Sequence, residues 1–524
     1  MSNKNSRTKN SALSLVTGIG GQLLNEALRF ITRTVFIYTL GKMFLGINGL
    51  FAEIMTMLSL ANLGVGTAII YRLYKPIADN DEHQVRVLLK FYKKAYQVIG
   101  CVILVLGLCL LPFLNVLIKD YDRLGSIGLN AEVVYLLFLG QSVVSYFFFA
   151  YRNCVFAADQ KQYIVNSVNI ITSIVTAVIQ IAVLYIWKDF IIYLLVGIVD
   201  NIIKNVAVAI LAYRQYPSYF KKETDSLSNS EVKSMFKDCG ALLVYRMSTV
   251  ISKSTGNLIL SAFVGLAIVG LYSNYVMLYV ATTTFIAQIL GSIKGSLGNL
   301  YATSTNENKY FFFEVTNFAT MAIAGTIGVI IAVCADELVA AWIGTDYVLV
   351  QPFSLLMGVE VLTYGMQANL GQVRNVAGLF RQMWIRPVIS MAVTLISTII
   401  LVNIIDIYAI PLGIIMGRFV IFAADPVILH KVGFNNIKPA SAYYVRNGKY
   451  AFIIALIGVV DYFLCKCIVP EHGWISVITH VFVCGLSVPA LFLLVFKNAP
   501  ECVLLIDKVR PIVNNVVKKV KKTI

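Results

Sequence analysis

Charged residues are scarce in this sequence, and their scarcity excludes most soluble proteins. Asp, Glu, Lys and Arg make up 13% of the 524 residues, against about 25% in soluble domains. Hydrophobic residues make up 58%. Apolar runs of about 18 or more residues recur along the whole length, and such a run can cross a hydrocarbon core about 30 Å thick. The composition therefore predicts an integral, all-α, polytopic membrane protein.

Long polar segments are also few, which leaves no room for a separate soluble domain. The longest non-apolar stretches lie near 74–94, 214–238 and 430–449, and the loops expected outside the cell are shorter still. A membrane glycan polymerase or ligase usually needs sizeable outer loops for its acceptor and catalytic groups, so that class is disfavoured. The nucleotide-binding motif G-x-x-x-x-G-K-[ST] does not occur, which argues against direct driving by ATP.

Cysteine and histidine form no pattern that indicates a metal or disulfide site. The nine cysteines are scattered, and the four histidines do not join them at metal-ligand spacing. Cys465 and Cys467 form only a C-x-C. We expect no disulfide framework, no metal, no cofactor and no catalytic residue.

The apolar runs predict about fourteen membrane crossings. The first extends from about Ser11 to Leu40, and it is too long and too polar for a cleaved signal peptide. The others are expected near 44–73, 95–117, 131–156, 163–187, 190–213, 239–264, 268–293, 312–334, 353–375, 383–404, 409–429, 450–469 and 475–496. An even number of crossings places both ends of the chain on one side of the membrane.

The basic residues identify that side. Most of the 43 Lys and Arg residues fall in loops on the side of the N-terminal tail. Five fall on the opposite side, namely Lys42, Lys119, Arg123, Lys188 and Lys466. Short loops rich in Lys and Arg stay in the cytoplasm, so both termini are expected there. The net charge of +16 is spread over many short loops, which disfavours nucleic-acid binding.

Two parts of the sequence echo each other across the basic connector at 214–238. The stretch "LGINGLFAEIMTMLSLANLGVGTAIIYRLY" (45–74) has a loose partner in "VGLYSNYVMLYVATTTFIAQILGSIKGSLGNLY" (269–301). Similarly, "AADQKQ" (157–162) matches "AGLFRQ" (377–382). The matches predict two parallel six-helix repeats, as in some secondary transporters. We expect lobes at 1–225 and 226–430, followed at 431–524 by two further helices and a tail.

Three stretches carry a family resemblance that covers about residues 10–430. They are "LGKMFLGINGLFAEIMTMLSLANLGVGTAIIYRLYKPIADND", "RNCVFAADQKQYIVNSVN" and "KSTGNLILSAFVGLAIVGLYSNY". The chain resembles the polysaccharide flippases of the multidrug/oligosaccharidyl-lipid/polysaccharide exporter superfamily. The resemblance implies two six-helix lobes around a central cavity, two extra C-terminal helices, and transfer of an undecaprenyl-pyrophosphate-linked oligosaccharide from the cytoplasmic to the outer leaflet of a bacterial cytoplasmic membrane.

The resemblance also implies partners. They are the lipid-linked oligosaccharide, the membrane lipids, a polysaccharide polymerase and glycosyltransferases, and we expect the flippase itself to be a monomer. The chain departs from the family pattern at one position, since relatives often have Asp where this chain has Gly256. The adjacent Asn257 offers only a neutral amide. A multidrug or cation antiporter of the same superfamily is the main alternative. It would need a cluster of embedded carboxylates, whereas these helices hold more Arg and Lys than acid.

The first predicted helix contains charges that need a reason. Glu26, Arg29 and Arg33 fall at i, i+3 and i+7, so they share one face. A charge facing lipid costs about 2.5–3.5 kcal/mol, whereas a water-filled cavity would hydrate it. Arginine grips phosphate oxygens bidentately, so we predict that these residues line a substrate cavity. Relatives that flip the peptidoglycan precursor carry cavity arginines, which Arg29 and Arg33 resemble. A structural Glu–Arg pair is the alternative.

Other embedded charges divide into a cavity set and a set of ion pairs. Arg246 and Lys253 repeat the i, i+7 spacing and are predicted to line the cavity, although Arg246 is close enough to the cytoplasmic end to reach the interface. Asp200 and Lys204, at i and i+4, are expected to form an internal ion pair, with a coupling or gating role as the alternative. Glu360 and Arg418 are single charges, either cavity groups or ties between helices, and the sequence does not identify their partners.

The C-terminal tail has the pattern of a short basic amphipathic helix. Its apolar residues recur at three- and four-residue spacing among lysines and one arginine, and they are Val509, Ile512, Val513, Val516, Val517 and Val520. Such a helix suits the anionic cytoplasmic leaflet. A partly disordered basic tail is the alternative.

Overall fold

A computed structural model of the chain describes residues 2–59, 62–119, 121–125, 128–221, 223, 225–293, 297–298, 300–301, 304–349, 352–468 and 473–507. All the regular structure in these residues is helical, which confirms the predicted all-α fold. The residues form two compact units, one up to Ser273 and one from Asn274. The predicted tail helix lies outside the described residues, and the lobe boundaries expected from the sequence stay a prediction.

The first unit is built from eight long helices and the start of a ninth. They are α1 Ser2–Leu40, α2 Lys42–Leu58, α3 Asn62–Ala78, α4 Glu82–Leu110, α5 Ala131–Phe147, α6 Gln162–Ile186, α7 Phe190–Gln215, α8 Asn229–Phe263 and α9 Leu266–Ser292, which continues into the second unit. α1 packs along α6, α6 on α7, α7 on α5, and α8 against α2 and α3.

Side-chain caps fix where several of these helices begin. The carboxylate of Asp81 accepts the backbone N–H of Gln84 at the start of α4. Ser228 and Glu231 form a capping box at the start of α8, each side chain bonding to the backbone of the other. The first N–H groups of a helix have no acceptor within the helix. These side chains therefore accept hydrogen bonds from backbone N–H groups that would otherwise be unsatisfied. Both caps lie in segments predicted to be cytoplasmic, so the helices extend beyond their apolar stretches.

Two of the predicted crossings are interrupted in the structure. The crossing expected at 44–73 is divided, because α2 ends at Leu58 and α3 begins at Asn62. The crossing expected at 131–156 ends as α5 at Phe147, and the following segment is bent by 48° from it. Phe149 at this bend has a φ of +58°, a left-handed conformation that cannot continue a right-handed helix. Apolar composition hides such breaks.

α2 and the start of α9 touch through their backbones. A Cβ atom added to Gly46 would lie 2.1 Å from the carbonyl oxygen of Leu266, and one added to Gly270 would lie 2.4 Å from the carbonyl oxygen of Lys42. Only glycine permits so close an approach at either position. Small residues at helix crossings serve the same purpose in membrane proteins generally.

We expect Gly46→Ala to destabilise the protein, because its methyl group would meet backbone atoms that cannot move aside independently. Overpacking of this kind costs about 1–3 kcal/mol, so the melting temperature of the purified protein should fall. Gly140→Ala is a matched control, since no atom lies within 4 Å of a Cβ at Gly140. Equal melting temperatures for the two variants would show that the α2–α9 contact is not tight.

The second unit contains the rest of α9 and six further long helices. They are α10 Asn306–Ile343, α11 Phe353–Ala377, α12 Ile385–Ile405, α13 Ala409–Ile428, α14 Ala440–Ile468 and α15 Trp474–Val495. α10 is central, since it packs on α11, α14 and α15, and α12 packs on α13. A cluster of buried rings joins α10 to the last two helices, with Phe318 stacked on Phe492 at a centroid distance of 5.0 Å.

Length and apolar character support the membrane assignment. Eight segments of the described residues are long and apolar enough to cross a membrane, or nine if the bent pair around Phe149 counts as one span. The protein is therefore a multi-pass membrane protein, as predicted. The total of fourteen crossings stays a prediction, because α2 and α3 are each shorter than 18 residues and one segment, Ile385–Gly433, covers two of the predicted crossings.

Candidate functional site

A polar cavity of about 840 Å³ lies within the first unit. Its volume is within the range of about 300–1,000 Å³ that is usual for binding sites of small molecules. Amide and hydroxyl side chains from four helices line it, and they include Asn48, Thr56, Gln141, Ser142, Gln180 and Asn201. Such groups both donate and accept hydrogen bonds. The cavity therefore suits a hydroxyl-rich ligand better than an apolar drug.

Helical spacing explains why these side chains converge. On α2, Asn48, Ala52 and Thr56 recur at steps of four residues, so they share one face. On α5, Gln141 and Ser145 are four residues apart and line the same cavity. This polar periodicity inside apolar helices is visible in the sequence, although only charged residues were predicted to line the cavity. It is the signal that would have identified the cavity wall.

Arg29 also lines the cavity, and it is paired only weakly. Its Nη1 lies 3.3 Å from Oε1 of Glu26, and the two side chains are 69% and 32% exposed. An exposed ion pair contributes only about 0–1 kcal/mol. The guanidinium can therefore exchange Glu26 for an anionic ligand at little cost.

Arg33 lies on the same predicted stripe but makes a different contact. Its Nη2 donates a hydrogen bond of 2.5 Å to Oγ of Ser273 on α9. Nearby, the backbone N–H of Asn257 donates to Oε2 of Glu53 at 3.3 Å. Arg33 thus connects α1 to α9, and Glu53 connects α2 to α8. Sequence reasoning missed Glu53, although a single acid within the apolar run "FAEIM" was the available signal.

The cationic pair predicted on α8 is described only in its backbone. Arg246 and Lys253 belong to α8, and their side chains lie outside the part of the chain that the structure describes. Val250, which lines the cavity, is four residues after the first and three residues before the second. These spacings place both positions on the helical face of Val250.

Asp200 and Lys204 form an ion pair on α7, next to the cavity. Nζ of Lys204 lies 2.6 Å from Oδ2 of Asp200, and the side chains are 23% and 11% exposed. The second oxygen of Asp200 is buried without a hydrogen bond. Gly197 and Asn201, on the same helix, line the cavity wall. The pair thus lies beside the cavity without forming part of its lining.

Glu360 and Arg418, whose partners the sequence did not identify, are partners of each other. Nη2 of Arg418 lies 3.3 Å from Oε1 of Glu360, and both residues are buried. Arg418 also donates to the backbone carbonyl of Glu360 and to the hydroxyl of Tyr279. These contacts join α9, α11 and α13 within the second unit.

A second buried cluster in this unit was not predicted. Nη1 of Arg386 lies 2.5 Å from Oδ1 of Asp425, and Nη1 of Arg374 lies 4.0 Å from Oδ2 of the same carboxylate. All three residues are less than 6% exposed. The partners come from three successive long helices, and Arg386 and Asp425 are 39 residues apart, so the spacing within one helix could not have revealed the cluster.

One group of possible metal ligands occurs among the described residues, and it is already occupied by ion pairs. His83, Glu223 and Asp225 come within metal-binding distance of one another. However, Nε of Arg86 lies 3.0 Å from Oε2 of Glu223, and Nζ of Lys90 donates to the backbone carbonyl of Asp225. These contacts tie the connector after α7 to the start of α4, so we assign no metal to the group.

Comparison with solved structures identifies the fold. The lipid II flippase MurJ, in an inward closed conformation, has a TM-score of 0.59 and 12% identity, covering 92% of this chain and 99% of its own. The Vibrio cholerae MATE transporter VcmN has a TM-score of 0.56 and 13% identity, covering 82% and 98%. An inward-facing multidrug resistance MATE transporter of the MOP superfamily has a TM-score of 0.55 and 13% identity, covering 75% and 91%.

Comparison of sequences identifies the family. No curated protein sequence matches the chain significantly. The family model for polysaccharide biosynthesis proteins, however, matches residues 12–293, which is more than half of the chain. This match spans most of the first unit, including every helix that lines the cavity. The resemblance predicted from the sequence is confirmed, and the chain belongs to the polysaccharide biosynthesis protein family, with the fold of the MOP-superfamily transporters.

Proposed function

We propose that the protein is a flippase that carries a lipid-linked oligosaccharide across the bacterial cytoplasmic membrane, from the inner to the outer leaflet. The polar cavity between apolar helices is the observation that carries this proposal. A lipid can change leaflets only if its polar head group crosses the hydrocarbon core, where unpaired polar groups are costly. A cavity lined by amides and hydroxyls replaces the water that such a head group would lose.

The residues of the cavity fit the two parts of such a head group. Arg29 offers a guanidinium that can bind phosphate oxygens bidentately once it leaves Glu26. The positions of Arg246 and Lys253, on the face of Val250, add to the positive charge available for a pyrophosphate. Amides such as Gln141 and Asn201 suit the sugar hydroxyls. The hydrophobic chain remains in the bilayer.

This role needs no catalytic group, because the substrate changes leaflet without a change in its covalent bonds. Both termini are in the cytoplasm in this proposal, as the distribution of Lys and Arg indicates. The substrate is made by glycosyltransferases on the cytoplasmic face and consumed by a polymerase on the outer face. The flippase works as a monomer by alternating access of its two repeats.

A multidrug or cation antiporter is the second candidate, since MATE transporters share the fold. That function requires embedded carboxylates that are available to protons or cations. In the described residues, Asp200, Glu360 and Asp425 are each paired with a basic side chain, whereas Glu53 accepts a hydrogen bond from the backbone N–H of Asn257. The pairing of three of these four acids with basic side chains favours the flippase.

Depletion of the protein in its host tests the proposal. We expect surface polysaccharide to disappear and lipid-linked oligosaccharide to accumulate in the cytoplasmic leaflet, because synthesis continues while transfer stops. Expression of the wild-type chain should reverse both changes. Normal surface polysaccharide in depleted cells would refute the flippase, and increased sensitivity to toxic cations without a change in glycan would favour the antiporter.

A further inference from the structure

Two carboxamides lie against a glycine in the cavity wall. A Cβ atom added to Gly197 on α7 would lie 2.9 Å from Nε2 of Gln141 and 3.8 Å from Nε2 of Gln180. Gln141 belongs to α5 and Gln180 to α6, and all three residues line the cavity. The missing side chain at position 197 therefore leaves space on the α7 backbone that the two amide groups occupy.

One of these amides is held in place, and the other has spare hydrogen-bonding capacity. Nε2 of Gln180 donates to the backbone carbonyl of Tyr193 at 3.3 Å, which fixes the orientation of the amide. Gln141 makes no hydrogen bond to another residue in the described ranges. A carboxamide has two N–H donors and an acceptor oxygen, and such groups rarely stay unpaired away from bulk water. The geometry thus provides donors and acceptors for a ligand.

The charges around this wall cancel locally. The lining residues that α5, α6 and α7 contribute include no acid or base within the described residues. The nearest basic residue on α7, Lys204, is neutralised by Asp200 at 2.6 Å. Arg29, on another wall, is paired with Glu26. Within the described residues, an acidic sugar placed against Gln141 would therefore have no basic lining residue of α5, α6 or α7 beside it, whereas an uncharged sugar needs none.

We propose that Gln141 and Gln180, positioned by Gly197, form a subsite that binds the hydroxyl groups of an uncharged sugar residue of the substrate. This subsite rests on the proposed flippase function and adds to it the chemical class of the sugar. Arg29 holds the phosphate end of the head group, and the amide pair selects the sugar. Sites built to hydrogen-bond a hydroxyl group discriminate strongly against ligands that lack it.

Binding to the purified full-length protein in lipid nanodiscs tests the subsite. Three probes share one polyprenyl pyrophosphate: one carries an uncharged disaccharide, one carries a disaccharide with a uronic acid, and one carries no sugar. We expect the wild type to bind the uncharged probe most tightly. Gln141→Leu keeps the size of the side chain and removes its hydrogen bonds, so it should weaken binding of that probe about tenfold. Binding of the sugar-free probe should not change.

Gly197→Ala provides a second variant that keeps Gln141. Its methyl group would meet the flexible end of that side chain at 2.9 Å, so the amide should move while the helix stays intact. The same selective loss is expected. Asn403→Leu is the control, because Asn403 is exposed on α12 and its amide donates to the carbonyl of Ile399 on the same helix.

The outcomes separate the subsite from the proposed function. If Gln141→Leu weakens binding of the uncharged and sugar-free probes equally, or of neither, the subsite is wrong and the flippase proposal stands. Tighter binding of the uronic acid probe by the wild type would overturn the assignment to an uncharged sugar. If the wild type binds none of the three probes, the proposed function itself fails.

Discussion

Arg29→Ala should nearly abolish export of surface polysaccharide while leaving the amount of folded protein close to normal. Arg29 is largely exposed to the cavity, and its ion pair among the described residues is the exposed one with Glu26 at 3.3 Å, so its loss removes little structural support. A hydrogen bond to a charged group contributes about 1.5–3 kcal/mol, which corresponds to a tenfold to hundredfold loss of binding. The measurement is surface glycan relative to protein level in a strain that depends on this chain.

Two further variants separate charge from shape at this position. Arg29→Lys should retain part of the export, because a point charge remains without the bidentate fork. Ser273→Ala serves as a control for the neighbouring arginine, since it removes the hydrogen bond from Arg33 and should affect stability more than export. Normal export by Arg29→Ala at normal abundance would mean that Glu26 and Arg29 are only a structural pair.

The largest loss of stability is expected for Arg418→Ala. Removing one partner of a buried ion pair costs about 3–5 kcal/mol, because it leaves the other charge buried without compensation. Arg418 is 8% exposed and Glu360 is 5% exposed, and the arginine also bonds to Tyr279. We expect the fraction of monodisperse protein after solubilisation, and its melting temperature, to fall sharply.

A double variant identifies the cause of that loss. Arg418→Met combined with Glu360→Leu removes both charges and keeps apolar volume, so it should recover much of the stability. Lys431→Ala removes an exposed basic residue three positions after the end of α13 and should have no measurable effect. A double variant that is less stable than Arg418→Ala would contradict the ion-pair explanation and favour the hydrogen bond to Tyr279 as the main support.

The sequence predicted the helices well, because hydrophobic length alone determines where a chain can cross a bilayer. It predicted their ends less well. α4 begins at Glu82 and not near 95, since a side-chain cap allows polar turns to extend the helix. The breaks after Leu58 and Phe147 were also missed, because apolar side chains occur on both sides of each break. The hydropathy of a sequence does not depend on backbone conformation, so it could not reveal the left-handed conformation at Phe149.

The charged residue of the candidate site could be predicted from the sequence, whereas the uncharged amides that line its wall could not. Arg29 stood out in the sequence because a charge within an apolar run is costly. Gln141 and Gln180 did not, because single amides are common in membrane helices and their convergence depends on how α5, α6 and α7 pack. The pairing of Glu360 with Arg418, 58 residues apart, likewise depends on tertiary structure, whereas that of Asp200 with Lys204 follows from helical spacing.

Transport by the purified protein in liposomes is the most direct test of the flippase proposal. The liposomes would contain a polyprenyl-pyrophosphate-linked disaccharide, and a membrane-impermeant glycosidase added outside would digest the molecules in the outer leaflet. With the wild-type protein we predict nearly complete digestion over time, because molecules in the inner leaflet are continuously moved across. With Arg29→Ala, digestion should stop at the share already outside, and the same is expected of protein-free liposomes. Digestion that stops at that same share with the wild-type protein would contradict the proposal.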